Sequence, residues 1–135
     1  MTRFLLGSAI LLTVVVPPAA AQQPIEGVYL KTVELCDAAK ANGIESVLEQ
    51  GELVLGARGF EGYEFNCAFV QSLPVTRSPG WIVTAFCEEP GYAYPELLAI
   101  MSRSEGSVDV TVSAAVESEG TVAGTYHLCE GLALP

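Results

Sequence analysis

The stretch FNCAFVQSLPVTRSPGWIVTAFC, Phe65 to Cys87, decides the fold. Counting from Tyr63 just before it, Tyr63, Phe65, Cys67 and Phe69 share one face of an extended chain, and Trp81, Val83, Ala85 and Cys87 do the same in the second arm. Ser78-Pro79-Gly80 supplies turn chemistry between the arms. Two period-two arms joined by a turn make an antiparallel hairpin, and hairpin arithmetic sets Cys67 roughly opposite Cys87 across the Leu73 to Gly80 turn. That pairing would leave Cys36 for Cys129. The other two connectivities need only a bulge or a crossing of a barrel and stay open.

The same alternation continues on both sides of the hairpin. Downstream come YPELLAIMSR, then SVDVTVSA with Val108, Val110 and Val112 inward, then TVAGTYHLC with Val122, Gly124, Tyr126 and Leu128 inward. Ser104-Glu105-Gly106 and Glu117-Ser118-Glu119-Gly120 read as the tight turns between them. Upstream, ELVLGAR places Leu53 and Leu55 on one face, Gly59 to Gly62 reads as a turn, and PIEGVYLKTVELC opens with a strand after Pro24. Between Glu34 and Gln50 the period changes to three and four through Leu35, Ala38, Ala39, Ile44, Val47 and Leu48, with Asn42-Gly43 interrupting. This predicts one short helix, or two helical turns, packed across one end of a sheet. About seven antiparallel strands in a meander leave two unpaired edges unless the sheet closes. The expected fold is therefore a mainly β, small antiparallel up-and-down β-barrel with one short N-terminal helix, disulfide-bridged, occupying 22–135 as a single domain.

The first residues, MTRFLLGSAILLTVVVPPAAAQQP, combine a positive start at Arg3, an apolar run from Phe4 to Val16 and small residues at Ala19-Ala20-Ala21. Residues 1–21 are read as a secretory signal peptide. The apolar run is shorter than the roughly 20 residues a spanning helix needs, and no cysteine near the cleavage site offers a lipid attachment, so no membrane anchor is expected after cleavage. Four cysteines, Cys36, Cys67, Cys87 and Cys129, in an exported chain predict two disulfides and a periplasmic or secreted location. Without Arg3, five basic residues face sixteen acidic ones, a net charge near −11. Such a domain repels nucleic acid and anionic lipid; its acidity either serves solubility or draws a basic partner.

Catalytic signatures are missing from the sequence. His127 is the one histidine, and a Ser-His-Asp arrangement drawn with Asp109 or Asp37 lacks a G-x-S-x-G elbow. Glu88 and Glu89 are neighbours, so on a strand they point to opposite faces and make a poor acid–base couple; Glu61 and Glu64 have the same weakness. There is no C-x-x-C, no H-E-x-x-H, no calcium loop and no phosphate-binding glycine loop. A non-enzymatic chain without metal or cofactor is expected, and weight shifts to binding.

Two stretches suit binding. In CEEPGYAYPE, Cys87 to Glu96, Pro90-Gly91 makes a tight turn, Pro95 stiffens the exit, and Tyr92 and Tyr94 present amphipathic rings beside Glu88 and Glu89. The tyrosines either contact a basic partner or fold back over the barrel mouth. The second stretch, RGFEGYEF, carries Phe60 and Tyr63 near the tip of a turn.

The signal segment, cysteine-bridged barrel, opening Gly-x-Tyr strand in EGVYL and acidic surface resemble the small periplasmic inhibitor proteins of Gram-negative bacteria. The chain is similar in character to the periplasmic inhibitors of c-type lysozyme, and in architecture to the lipocalin-like metalloprotease inhibitors. In the lysozyme inhibitors a loop bearing Ser-Gly-x-x-Tyr enters the enzyme's cleft; this chain has Gly59-Phe60-Glu61-Gly62-Tyr63 there, without the serine, so the resemblance carries over Tyr63 alone. It implies an exported inhibitor of a basic hydrolase. The alternatives are a lipocalin-like carrier of a small apolar ligand, with Tyr63, Phe65, Phe69, Trp81 and Tyr126 available to fill the barrel instead, or a periplasmic structural or stress protein.

Overall fold

A computed structural model of the chain describes residues 22–104, 106–113 and 122–134. The proposed signal peptide, 1–21, and the expected turn Glu117 to Gly120 lie outside the described residues. The strands are β1 (Tyr29–Leu30), β2 (Val54–Gly56), β3 (Gly59–Gly62), β4 (Phe65–Pro74), β5 (Gly80–Glu89), β6 (Tyr92–Ser102), β7 (Ser107–Val112) and β8 (Gly124–Leu128). Each pairs antiparallel with the next and β8 returns to β1, so the sheet closes into an up-and-down barrel. Helices α1 (Val33–Asn42) and α2 (Ile44–Leu48) sit between β1 and β2.

The strand beyond the expected seven is β3, GFEG, which its two glycines make look like a turn. The turn instead falls on Tyr63-Glu64, where Glu64 takes a φ of 53°. Gly59 keeps a φ of 143°, and a Cβ built there would overlap the carbonyl oxygen of Cys67 in β4. Its glycine allows two strand backbones to approach closely rather than reversing the chain. Two expectations are corrected by this shift. Phe60 is not near a turn tip but inside the barrel, 1% exposed, with its ring edge-on to Phe69 at 5.9 Å and tilted to Tyr126 at 5.6 Å. Tyr63 does not fill the interior; it stands 67% exposed on the turn.

One girdle of inward residues runs around six strands: Tyr29, Leu55, Phe60, Cys67, Cys87 and Tyr94 are successive register partners. The Cys67–Cys87 disulfide lies in this girdle, joining β4 and β5 from within. Below it Val83, Leu98, Ile100, Val108, Val110 and Tyr126 complete one contiguous apolar core. Among these, Tyr126 satisfies its hydroxyl by donating to the Val122 carbonyl at 2.8 Å, as a buried phenol must.

A second core lies outside the barrel wall. Alternation turns Val28, Leu30 and Val54 outward, and Cys36, Ala39, Ile44 and Val47 from the helices bury them. There are thus two short helices, and they cover the outer face of β1 and β2 rather than one end, because that wall is apolar. α1 is capped by Thr32, whose hydroxyl accepts from the Leu35 N–H at 3.2 Å, and ends at Gly43 with a φ of 90°. The Cys36–Cys129 disulfide ties α1 to the chain just after β8. Among the described residues no helix is long and apolar enough to cross a membrane.

The two bridges close loops of different length, with sequence separations of 93 and 20. Replacing Cys36 and Cys129 together by Ala is expected to cost about 4 kcal/mol, and replacing Cys67 and Cys87 about 3 kcal/mol, in denaturant unfolding. Amide exchange should rise first in β1 and β8 for the former pair. Gly59→Ala should cost about 3 kcal/mol or more in the same assay, since it combines a disfavoured φ with a backbone overlap.

Candidate functional site

In an up-and-down barrel the turns after odd-numbered strands share one end, here the upper end. The β3–β4 turn (Tyr63-Glu64) and the β5–β6 turn (Pro90-Gly91) are therefore neighbours, about 10 Å apart at two strand spacings. The fold brings together the two stretches singled out from the sequence. CEEPGYAYPE is less a loop than a hairpin tip: β5 continues through Glu89, β6 begins at Tyr92, and Gly91 takes a φ of 79° in the two-residue turn. Pro95 pairs with Phe86 above the level where β7 joins β6 at Leu98, so among the described residues its missing N–H interrupts no β6–β7 pairing.

Register sorts the side chains at this rim. Glu88 pairs with Asn66, itself paired with Glu61, and this row points outward. Glu89 pairs with Tyr92 on the inward side. Tyr94 does fold back over the barrel mouth: it is half-buried against the core and its hydroxyl donates to Glu89 Oε1 at 3.2 Å. Tyr92 stacks on it, ring centroids 5.2 Å apart at 29°, yet remains 64% exposed. Tyr94 thus acts as the support and Tyr92 as the presented ring. Burial, then the negative charges of Glu89 and Glu96, push the Tyr94 phenol above its ordinary value.

Sequence reasoning missed two groups that tertiary structure adds to the mouth. Lys31 reaches over the Tyr126 ring, Nζ 5.9 Å from its centroid, and Glu52 adds its field to the burial that pushes the Tyr126 phenol upward. The parity of Lys31 with inward Tyr29 was the one available signal. Beneath the rim a surface groove of about 610 Å³ follows β3 and β4, lined by Leu48 of α2, Arg58, Glu61, Glu64 and Asn66.

Chemically the rim offers exposed phenol faces, hydroxyls and carboxylates, a set that holds cationic side chains by charge and by cation–π contact. The other candidates lie elsewhere. His127 is half-buried on the outer face of β8, opposite Leu30 and Ser107. Asp109 is held by the Thr125 hydroxyl at 2.8 Å and by Arg103, which keep its carboxyl below the usual range. Among the described residues no hydrogen bond joins His127 to Ser107 or Asp109, and no three His, Cys, Asp or Glu side chains converge as metal ligands. No family model, curated protein or solved structure matches the chain.

Raised phenol values mean the folded state favours neutral tyrosine; this stabilisation is complete below the ordinary tyrosine range near ~10 and is lost as pH rises through it. In an alkaline titration of phenolate absorbance, Tyr94 and Tyr126 are expected to ionise above that range, and Tyr94→Phe should remove one high-pH step. Titration of all tyrosines near 10 in the folded protein would contradict the packing described for the mouth.

Proposed function

We propose that the protein is an exported, non-enzymatic binding protein of the periplasm or the secreted space, which grips a basic protein partner through its upper rim. The observation that carries this reading is the placement of Tyr63 and Tyr92 on adjacent hairpin tips, both about two-thirds exposed, among Glu64, Glu88 and Glu89. Exposed aromatic rings on short turns lose little entropy on docking, and surrounding carboxylates steer a cationic surface toward them. The two disulfides fit an oxidising, exported setting. The resemblance to periplasmic inhibitors supports a basic hydrolase, such as c-type lysozyme, as the first partner to test. Of the six contact candidates, Phe60 is withdrawn because it is buried; Tyr94 becomes a support for Tyr92. The carrier reading is weakened by the inward side chains, which pack as one contiguous cluster.

The test is titration of the oxidised protein against a c-type lysozyme, following cell-wall lysis at low salt and again near 0.15 M, where the Debye length is ~8 Å. Stoichiometric inhibition should persist at the higher salt. Tyr92→Ala and Tyr63→Ala should each weaken it by about tenfold or more, the loss expected of a hot-spot residue. Inhibition that is absent, or that salt abolishes, would sink the lysozyme reading.

A further inference from the structure

The outer wall opposite the helices is apolar and, among the described residues, uncovered. In an eight-stranded ring β5 lies across from β1, and on the outer faces of β4, β5 and β6 stand Val70 (69% exposed), Leu73 (54%), Ile82 (40%), Phe86 (44%) and Leu97 (45%). Register makes them contiguous: Leu73, Ile82 and Ala99 form one row, and Ala68, Phe86 and Pro95 another, with Thr84 and Leu97 paired between. A bulge at Phe69/Gln71 adds Val70 to the outside instead of the core. The largest contiguous apolar patch on a protein surface is often a functional one.

Charge selects the occupant. No charged side chain points outward between Ala68 and Leu73, between Ile82 and Phe86, or between Ala93 and Ala99; Glu96 lies on the inward side, paired with Ala85. The two ends of these same strands carry opposite signs. The three arginines of residues 22–135 all occupy lower turns: Arg58 between β2 and β3, Arg77 between β4 and β5, Arg103 after β6. The upper ends of β3 to β5 carry Glu61, Glu64, Glu88 and Glu89. Among the described residues the lower-end acids Glu26 and Glu130 belong to the β1 and β8 side, away from this wall, and Asp109 on β7 is paired with Arg103.

We infer that the β4–β5–β6 wall binds a second copy of the same wall, the two copies related by a two-fold axis that sets their strands antiparallel. Face-to-face sheets pack about 10 Å apart, and an isologous contact places identical apolar patches together. In the antiparallel arrangement Arg77 of one copy approaches Glu88 of the other, twice. The parallel arrangement would set Glu88 against Glu88 and Arg77 against Arg77. For a chain of net charge −10, a wall without outward carboxylates lets two copies meet with little repulsion. The upper turns with Tyr63 and Tyr92 stay at the two far ends; Glu88 alone is shared with the rim proposed for the partner, and the Phe86→Lys and Leu97→Lys tests below do not touch that rim.

Sedimentation equilibrium of the oxidised protein from micromolar to millimolar concentration tests it. A monomer–dimer equilibrium is expected. Phe86→Lys and Leu97→Lys, both on exposed positions that leave the core untouched, should each give monomer with unchanged near-UV circular dichroism. Arg77→Glu should weaken the dimer about tenfold and the double change Arg77→Glu with Glu88→Arg should restore it. A wild-type monomer at every concentration overturns the proposal, as does a dimer indifferent to Phe86→Lys; failure of the double change to restore overturns the antiparallel arrangement. A monomer that instead co-floats with neutral phosphatidylcholine vesicles would overturn it in favour of a lipid surface.

Discussion

The whole architecture depends on closing the ring through its weakest member. β1 contributes two residues, pairing with β8 at Tyr29–Leu128 and Leu30–His127 and with β2 at Tyr29–Leu55. Such a short strand holds few ladder bonds, and two features compensate. The Cys129 N–H donates to the Val28 carbonyl at 2.8 Å, extending the contact, and the Cys36–Cys129 disulfide then fixes α1 to the end of β8. Without closure β2 and β8 would present open edges, each a template for pairing with other chains.

Closure also explains why the outer surface is not uniform. Where β1 and β2 are thin, their outward residues Leu30 and Val54 are fully buried under α1 and α2, so the seam is reinforced by a second core. On the far side, β4, β5 and β6 run ten or eleven residues each and are held by long ladders and an internal disulfide. They need no cover for stability. Their apolar outer wall is therefore free to serve association, and their upper tips, projecting beyond the shorter strands, carry the tyrosines.

Much of this was legible from local pattern. Period two in Phe65 to Phe69 and Trp81 to Cys87 reports the inward face, and turn counting sets Cys67 roughly opposite Cys87, because both depend only on residues near one another in sequence. Phe60 and Tyr63 defeated the same logic. Gly59 and Gly62 bracketing Phe60-Glu61 look like a reversal, and an unbroken alternation from Tyr63 looks like a strand. The deciding fact, the Cys67 carbonyl pressed against Gly59, is a contact between strands.

By itself the sequence determined the class of fold and the helical insertion, and it favoured without settling the cysteine pairing that the structure shows, since hydrophobic period, turn residues and chain length act locally. Tertiary structure alone decided the eighth strand, the outer position of the helices, the placing of Tyr63 and Tyr92 on one rim and the gathering of the three arginines at the opposite end. The physical reason is that barrel closure fixes which turns share an end and which faces lie opposite. Neither relation is a property of any single segment.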